Sequence, residues 1–328
     1  MDDPLSRGRR SAAAPAEQPF VSVIVETSTW HEGGHIGLAD ALGALREQQY
    51  PAENLEILVV VTPENRQRWA ALAPRFPEAT TVDAPPALSI YQIKGLGLRH
   101  ARGDIVTFVD ADNWVGPEWL AEIVRPFARD ARIAAVLGPI RFRPAFLSRM
   151  WDAVWWIRAY DAEGPIDRIF ASNSVAFRRA VLVEHFYDDP RRYRGFWERM
   201  MTARLREAGY TLWLTPRANF IHDFRPAPGY FARRAMTRGY TFIAVRMEYP
   251  LKRYRLFARL PWIMPWAVYP GLLAKDAVRI LTQTPRLGLS WREWWKPPVY
   301  VAAWTGISLF VLAGMVMASL RLPAVEPP

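Results

Sequence analysis

The chain has 328 residues, enough for a sizeable core in one large domain or two ordinary ones, and 42 Lys and Arg against 32 Asp and Glu give it a formal charge of +10. That balance suits anionic partners, whether nucleic acid, an acidic membrane face or phosphorylated small molecules. The absence of cysteine excludes disulfides, thiolate nucleophiles and Cys-ligated zinc, and it fits a reducing compartment.

Residues 1–18 carry Arg7, Arg9 and Arg10 but no apolar run of signal-peptide length, and read as a disordered tail. The β-branched run Val21–Val25 predicts a strand. Leu38, Leu42 and Leu45 then mark one side of a helix that ends before Tyr50-Pro51. Leu55–Val61 predicts a second buried strand, Pro63 opens a helix containing Trp69, Leu72 and Phe76, and Thr80–Val82 is a short strand. Leu88–Ala101 is helical in pattern despite Gly95 and Gly97. It leads to the strand Ile105–Val109, a helix from Pro117 to Ala128 and the strand Ile133–Leu137. Strands alternating with helical patterns predict an α/β fold with a mostly parallel, doubly wound sheet.

The aromatic stretch Phe146–Tyr160 reads equally as a helix packed on the sheet or as an interfacial segment. Ser172–Leu182 returns to the core, Phe196–Ala208 is a helix closed by Gly209, and Thr211–Thr215 is a last strand with His222 close behind. From Phe231 to Leu260 eight cations, among them Arg233, Arg238 and Arg246, face Glu248 alone. The apolar, Pro-containing stretch Leu260–Ala274 follows and reads as interfacial or re-entrant rather than as a full crossing. Trp291, Trp294 and Trp295 then precede Pro298–Leu320, 23 uncharged residues. At helical rise these reach roughly 34 Å, enough for a hydrocarbon core of about 30 Å. Arg292 and Lys296 before that run, against Arg321 after it, put the globular domain on the cytoplasmic side of the cell membrane.

The expected divisions are a tail at 1–18, a globular domain at 19–225, a basic and aromatic membrane-proximal region at 226–297, a transmembrane helix at 298–320 and a tail at 321–328. The chemistry centres on Asp110-Ala111-Asp112-Asn113, where a buried strand ends in two carboxylates. In extended chain, residues i and i+2 project to the same side. The C-terminal end of a parallel strand is where open α/β sheets place their ligands. Mg2+ or Mn2+ on a diphosphate needs only one or two protein carboxylates, because phosphate oxygens and water complete the shell.

Several segments in order carry a resemblance: Val21–Val25, then Lys94, Gly97, Gly103-Asp104 and Asp110-Ala111-Asp112, then Ala171-Ser172-Asn173-Ser174-Val175-Ala176-Phe177-Arg178, then Gly195–Glu198. Over residues 20 to 225 the chain resembles a membrane-anchored family 2 glycosyltransferase of the GT-A fold. The resemblance implies a nucleotide-sugar donor held by the Glu26-Thr27 and Thr62 positions and by Lys94 and Asp110, with Lys94 near the diphosphate. It implies Asp112 and His222 as metal ligands, Asn173 on the acceptor side, and Glu198 as the base of an inverting displacement. The plain readings beside these are a loop histidine at His222 and a solvated first-turn carboxylate at Glu198.

The sequence departs from the family's pattern in three places. Glu26-Thr27 stands where Pro-Thr is usual, and Glu32 matches its acidic position only with a gap. No Asp follows the second strand in Val61-Thr62-Pro63-Glu64, so the donor's nucleotide stays open. Tyr230–Arg234 only partly echoes the Gln-x-x-Arg-Trp sequence of processive synthases, so the expected activity is non-processive. The expected acceptor is a lipid-linked or surface-polysaccharide precursor. The alternative is a catalytically silent nucleotide-sugar-binding membrane protein. Nucleic acid is not expected as a partner, because the cations sit beside hydrophobic stretches rather than on an exposed aromatic platform.

Overall fold

A computed structural model describes residues 18–30, 35–142, 150, 162–188, 196–223, 229–248, 255–284 and 291–323. Strands β1 (Val21–Glu26), β2 (Leu55–Val61), β3 (Ala79–Asp83) and β4 (Ile105–Asp110) run parallel in the spatial order β3-β2-β1-β4. Helices α1 (Leu38–Arg46), α2 (Arg66–Leu72) and α3 (Ile90–His100) make the crossovers. β1 and β4 are buried throughout, which explains their unbroken apolar runs.

Next come β5 (Asn113–Val115), α4 (Trp119–Val124), β6 (Ile133–Leu137), β7 (Ile140–Phe142), β8 (Gly164–Ile166) and β9 (Val175–Arg178), then α5 (Arg179–His185), α6 (Phe196–Glu207), β10 (Thr211–Leu214) and β11 (Phe220–His222). The large sheet continues as β4-β9-β6-β10-β8, with β9 antiparallel to both of its neighbours and β8 antiparallel to β10. A second, small sheet has the order β5-β11-β7. Successive residues of β1 feed opposite layers. Val23 and Val25 pack with Leu38, Leu42 and Trp69, whereas Ile24 packs with Tyr91, Leu98 and Phe108. The mostly parallel sheet with helices on both faces is the architecture that the alternating pattern predicts.

α3 carries two of the site residues and is fixed at both levels. Ser89 caps it by accepting from Gln92 N at 3.2 Å, while Gln92 Oε1 accepts from Ser89 N at 3.1 Å. Gly97 lets the helix lie on the sheet, because a Cβ there would overlap Ile24 Cγ2 and sit 3.1 Å from Val60 Cγ2. Gly97→Ala is therefore expected to cost about 1–3 kcal/mol, the usual range for overpacking a tight core. Denaturant titration measures it, and a midpoint equal to that of the unsubstituted chain would refute the close contact.

The C-terminal part is helical: α7 (Tyr230–Glu248), α8 (Arg255–Arg259), α9 (Met264–Gln283) and α10 (Lys296–Ser319). The apolar stretch that starts at Leu260 enters α9, which continues to Gln283 with Pro270 inside it. Trp291–Ser319 is, among the described residues, the one helical stretch long and apolar enough to cross a membrane, by length and composition. Glu32 and, apart from the buried Met150, the aromatic stretch 146–160 lie outside the described residues.

Candidate active site

The register of β1 against β4 sets Glu26 beside Asp110 at the C-terminal ends of adjacent central strands. Asp110 is enclosed by polar partners. Its Oδ1 lies 2.8 Å from Lys94 Nζ, and its Oδ2 accepts from Asn173 Nδ2 at 3.0 Å. Asn173 Nδ2 also reaches Asn113 Oδ1 at 3.2 Å, and Asn113 Oδ1 accepts from Asp110 N at 2.8 Å, closing the turn after β4. Asn113 Nδ2 donates to Asp112 Oδ1 at 3.1 Å, and Asp112 Oδ2 lies 3.0 Å from His222 Nε2. A single polar chain thus runs from Lys94 through Asp110, Asn173, Asn113 and Asp112 to His222.

The small sheet brings His222 there. β11 pairs antiparallel with β5 so that His222 stands opposite Asn113, and Asp223 N donates to Asp112 O at 3.0 Å. His222 is therefore a strand residue held against the acidic turn, not a loop histidine. Asp223 ties in the segment after β1 by accepting from His35 N and Ile36 N. Asp112 and His222 keep 20% and 14% of their side-chain surface, whereas Asp110 keeps 9% and Lys94 1%. The accessible end of the network is thus the Asp112–His222 end.

Among the described residues no group of three His, Cys, Asp or Glu side chains converges to hold a metal. The carboxylate and imidazole of Asp112 and His222 nonetheless fit a divalent ion whose remaining positions are filled by diphosphate oxygens and water. An imidazole in the set favours Mn2+ relative to Mg2+, which prefers oxygen ligands.

Other expected donor residues take different positions. Lys94 is fully buried, and besides Asp110 its ammonium reaches Ser172 O at 3.1 Å and Ser172 Oγ at 3.0 Å. It is the counter-ion of Asp110 rather than a cation presented at an open diphosphate site. Glu26 is also fully buried, and its carboxylate accepts from Ser28 N, Ser28 Oγ and Thr29 Oγ1. Thr29 Oγ1 in turn accepts from Ala111 N at 3.1 Å, coupling the end of β1 to the acidic turn. Burial, then the charge of Asp110, pushes the Glu26 carboxyl up to about 7, with Lys94 and the bonds from Ser28 and Thr29 acting against that rise.

Thr27 and Thr62 satisfy each other across the ends of β1 and β2, with Thr62 N donating to Thr27 Oγ1 at 3.0 Å and Asn65 Nδ2 donating to Thr27 O at 2.8 Å. Asn173, read as acceptor-side, is buried and bridges Asp110 and Asn113 within the acidic turn after β4. Ser174 beside it has φ 51°, a left-handed conformation uncommon for a side-chain-bearing residue, and it sets the direction in which Asn173 enters.

Glu198 lies in the first turn of α6 and is 7% exposed. Tyr91 OH is 3.3 Å from each of its carboxylate oxygens, and Tyr91 stacks on Trp197 with ring centroids 5.5 Å apart. Burial raises the Glu198 carboxyl above its ordinary range, while its own backbone N–H, Lys94, Arg234 and Tyr91 pull it down. Tyr91 and Lys94 are three apart on α3 and so share a helix face. One touches Glu198 and the other Asp110, which links the two acids through a single helix.

Sequence reasoning missed Asn113, Tyr91, Ser172 and Asp223 as members of the site. Asn113 had a local signal, an Asn directly after the second strand-end carboxylate, a residue type that turns favour. Tyr91 is one helical turn before Lys94. Ser172 and Asp223 adjoin residues already singled out.

A family model described as glycosyl transferase family 2 matches residues 37–186. No curated protein matches the chain. Among solved structures, the mannosyltransferase PcManGT from Pyrobaculum calidifontis, in complex with GDP-Man and Mn2+, aligns at a TM-score of 0.58 and 23% identity over 96% of this chain and 91% of that one. GalNAc-T7 with UDP, GalNAc and Mn2+ aligns at a TM-score of 0.52 and 14% identity, covering 74% of this chain and 54% of the other. Strand order, flanking helices and these superpositions agree on the GT-A fold, and the glycosyl transferase family 2 model matches residues 37–186.

Proposed function

We propose that the protein is a metal-dependent, inverting, non-processive glycosyltransferase. It would move a sugar from a nucleotide-sugar to a lipid-linked or surface-polysaccharide precursor at the cytoplasmic face of the cell membrane. The observation that carries the reading is the Asp110–Asn173–Asn113–Asp112–His222 chain at the end of β4, with buried Glu198 joined to it through α3. Asp112 and His222 would hold the metal, which would supply positive charge against the departing diphosphate. Asp110, oriented by Lys94 and Asn173, faces the donor's sugar and ribose.

Glu198 takes the proton of an acceptor hydroxyl as its oxygen bonds to the anomeric carbon. The bond from that carbon to the diphosphate oxygen breaks on the opposite side, the nucleoside diphosphate leaves, and the configuration inverts. The GDP-Man, UDP and Mn2+ held by the two solved structures support a donor and ion of this class. The membrane location rests on the apolar helices after residue 255 and on the basic run before them.

The reading is tested by transfer assays over a panel of nucleotide-sugars, with Mn2+ or Mg2+, for the native chain and Asp112→Asn. The expected result is metal-dependent turnover that is greater with Mn2+ and falls by at least about 10–100-fold in the variant, the loss that removing even an outer-shell partner of a metal ligand produces. The second reading, a silent nucleotide-sugar-binding protein, draws on the lack of an Asp in Val61-Thr62-Pro63-Glu64, where the family carries one against the nucleobase. Donor binding with no metal-dependent turnover on any nucleotide-sugar would favour it.

A further inference from the structure

Length and composition allow α10 to cross a bilayer, and α10 is packed closely against α7. A Cβ on Gly239 of α7 would meet the Val311 carbonyl, and one on Gly314 of α10 would meet the Met236 carbonyl, so the two backbones are in direct contact. The contact is extended on both sides of that point. Arg238 lies over the Trp304 ring at 5.3 Å, and Ile243 and Val245 share a buried cluster with Val311, Met315 and Ala318. Met200 of α6 is in the same cluster, two residues after Glu198.

α9 is pinned alongside. Tyr269 OH is 2.8 Å from Ser308 Oγ near one end, and near the other Asp276 accepts from Trp304 Nε1 at 3.3 Å and pairs with Arg238 at 2.8 Å. α7 therefore lies between the catalytic domain and an outer layer made of α9 and α10, and none of its described side chains from Phe231 to Met247 is exposed. If α10 crossed the membrane, α7 with Arg233, Arg234, Arg238 and Arg246, and the turn bearing Glu198, would be drawn to hydrocarbon depth, where cations and open active sites are costly.

The outer face of that layer is apolar. Trp266, Val278, Leu281, Val299, Leu309 and Phe310 are between 40% and 62% exposed. Its edge carries Trp291 and Trp294, 77% and 65% exposed, the residue type favoured at headgroup level. Between residues 255 and 323 the exposed charged residues among those described are Arg255, Arg259, Lys275, Arg292 and Arg321. The two acids there, Asp276 and Glu293, are respectively buried against Arg238 and paired with Lys296.

We propose that α9 and α10 form a monotopic seat lying in the plane of one anionic leaflet, with their apolar face in the acyl boundary and both ends of α10 on the catalytic domain's side. A broad apolar face rimmed by Trp and by cations without exposed acids fits an anionic lipid surface. The seat holds the site within reach of a headgroup without passing any of this region through the bilayer.

The absence of native cysteine makes the test direct. Single cysteines are placed at Glu53→Cys in the catalytic domain, at Pro323→Cys beyond α10 and at Leu309→Cys midway along it. The proteins are reconstituted in phosphatidylcholine vesicles containing phosphatidylglycerol, and the first two are labelled with a membrane-impermeant maleimide before and after detergent. The expected result is that Pro323→Cys and Glu53→Cys label to the same fraction, and that a dye on Leu309→Cys is quenched by shallow lipid-borne quenchers more than by bilayer-centre ones. Complementary labelling fractions, quenching from the centre, or failure of the full chain to bind the vesicles would each overturn the seat. No turnover is needed for the readout, so its failure is distinct from failure of the transferase reading.

Discussion

Glu198→Gln is expected to lower turnover by about 10²–10⁴-fold, the range for a positioned general base, with little change in the donor's KM. The substitution keeps the shape of the side chain and the contact with Tyr91 while removing the proton-accepting charge. The pH profile supplies a second readout. A base works deprotonated, and burial raises the Glu198 carboxyl. The acid limb of the native rate should therefore lie above the ordinary carboxylate value of about 4.3, with activity rising as pH rises through it. In the variant that limb should vanish. A Glu198→Gln rate within tenfold of native, with the limb retained, would remove Glu198 from the base role. An acceptor that arrives already ionised, such as a polyprenyl phosphate, needs no base, so a small effect with no native limb would point to a phosphate acceptor.

The parts of this site that were legible in the sequence are those whose signal is local. β1, β2, β4 and β6 announce themselves because strands covered on both faces need unbroken apolar, β-branched runs. The paired acids at the end of β4 follow from that strand and the side-chain period of two. The antiparallel placement of β9 between β4 and β6 was not legible, since Val175–Arg178 is four residues long and its partners lie far along the chain.

Side-chain roles show the same division. Asp112 and His222 were read as a pair only by resemblance, and what joins them is the register of β5 with β11, a tertiary fact. Lys94 was placed near the diphosphate by resemblance, and a sequence does not display burial. Only the fold reveals that Asp110 and Ser172 surround its ammonium. At the other end, 23 uncharged residues from Pro298 fix a length but no direction. The direction comes from Gly239 and Gly314, whose spacing on separate helices carries meaning only once those helices are in contact.

Lys94→Met is expected to destabilise the protein by about 3–5 kcal/mol, because it leaves the Asp110 carboxylate buried without its counter-ion. Both members of the pair are less than 10% exposed, so little solvent screening softens the loss. Methionine has nearly the same length and fills the space along α3, which confines the change to the charge. Glu26 aggravates the effect. Lys94 holds down its elevated pKa, and Asp110 pushes that pKa up, so removing the cation leaves two neighbouring carboxyls competing for one proton.

The relevant measurement is a double-mutant cycle with Asp110→Asn by denaturant titration. Asp110→Asn alone strands the ammonium and should also be costly, whereas the double variant removes both charges and should recover at least about 1 kcal/mol relative to the sum of the singles. Restored stability should not restore activity, since Asp110 faces the donor in the proposed mechanism. A Lys94→Met protein as stable as the native chain, or a cycle with no coupling, would mean that solvent or rearrangement compensates Asp110. The buried ion pair would then lose its place as the element that orients the acidic turn.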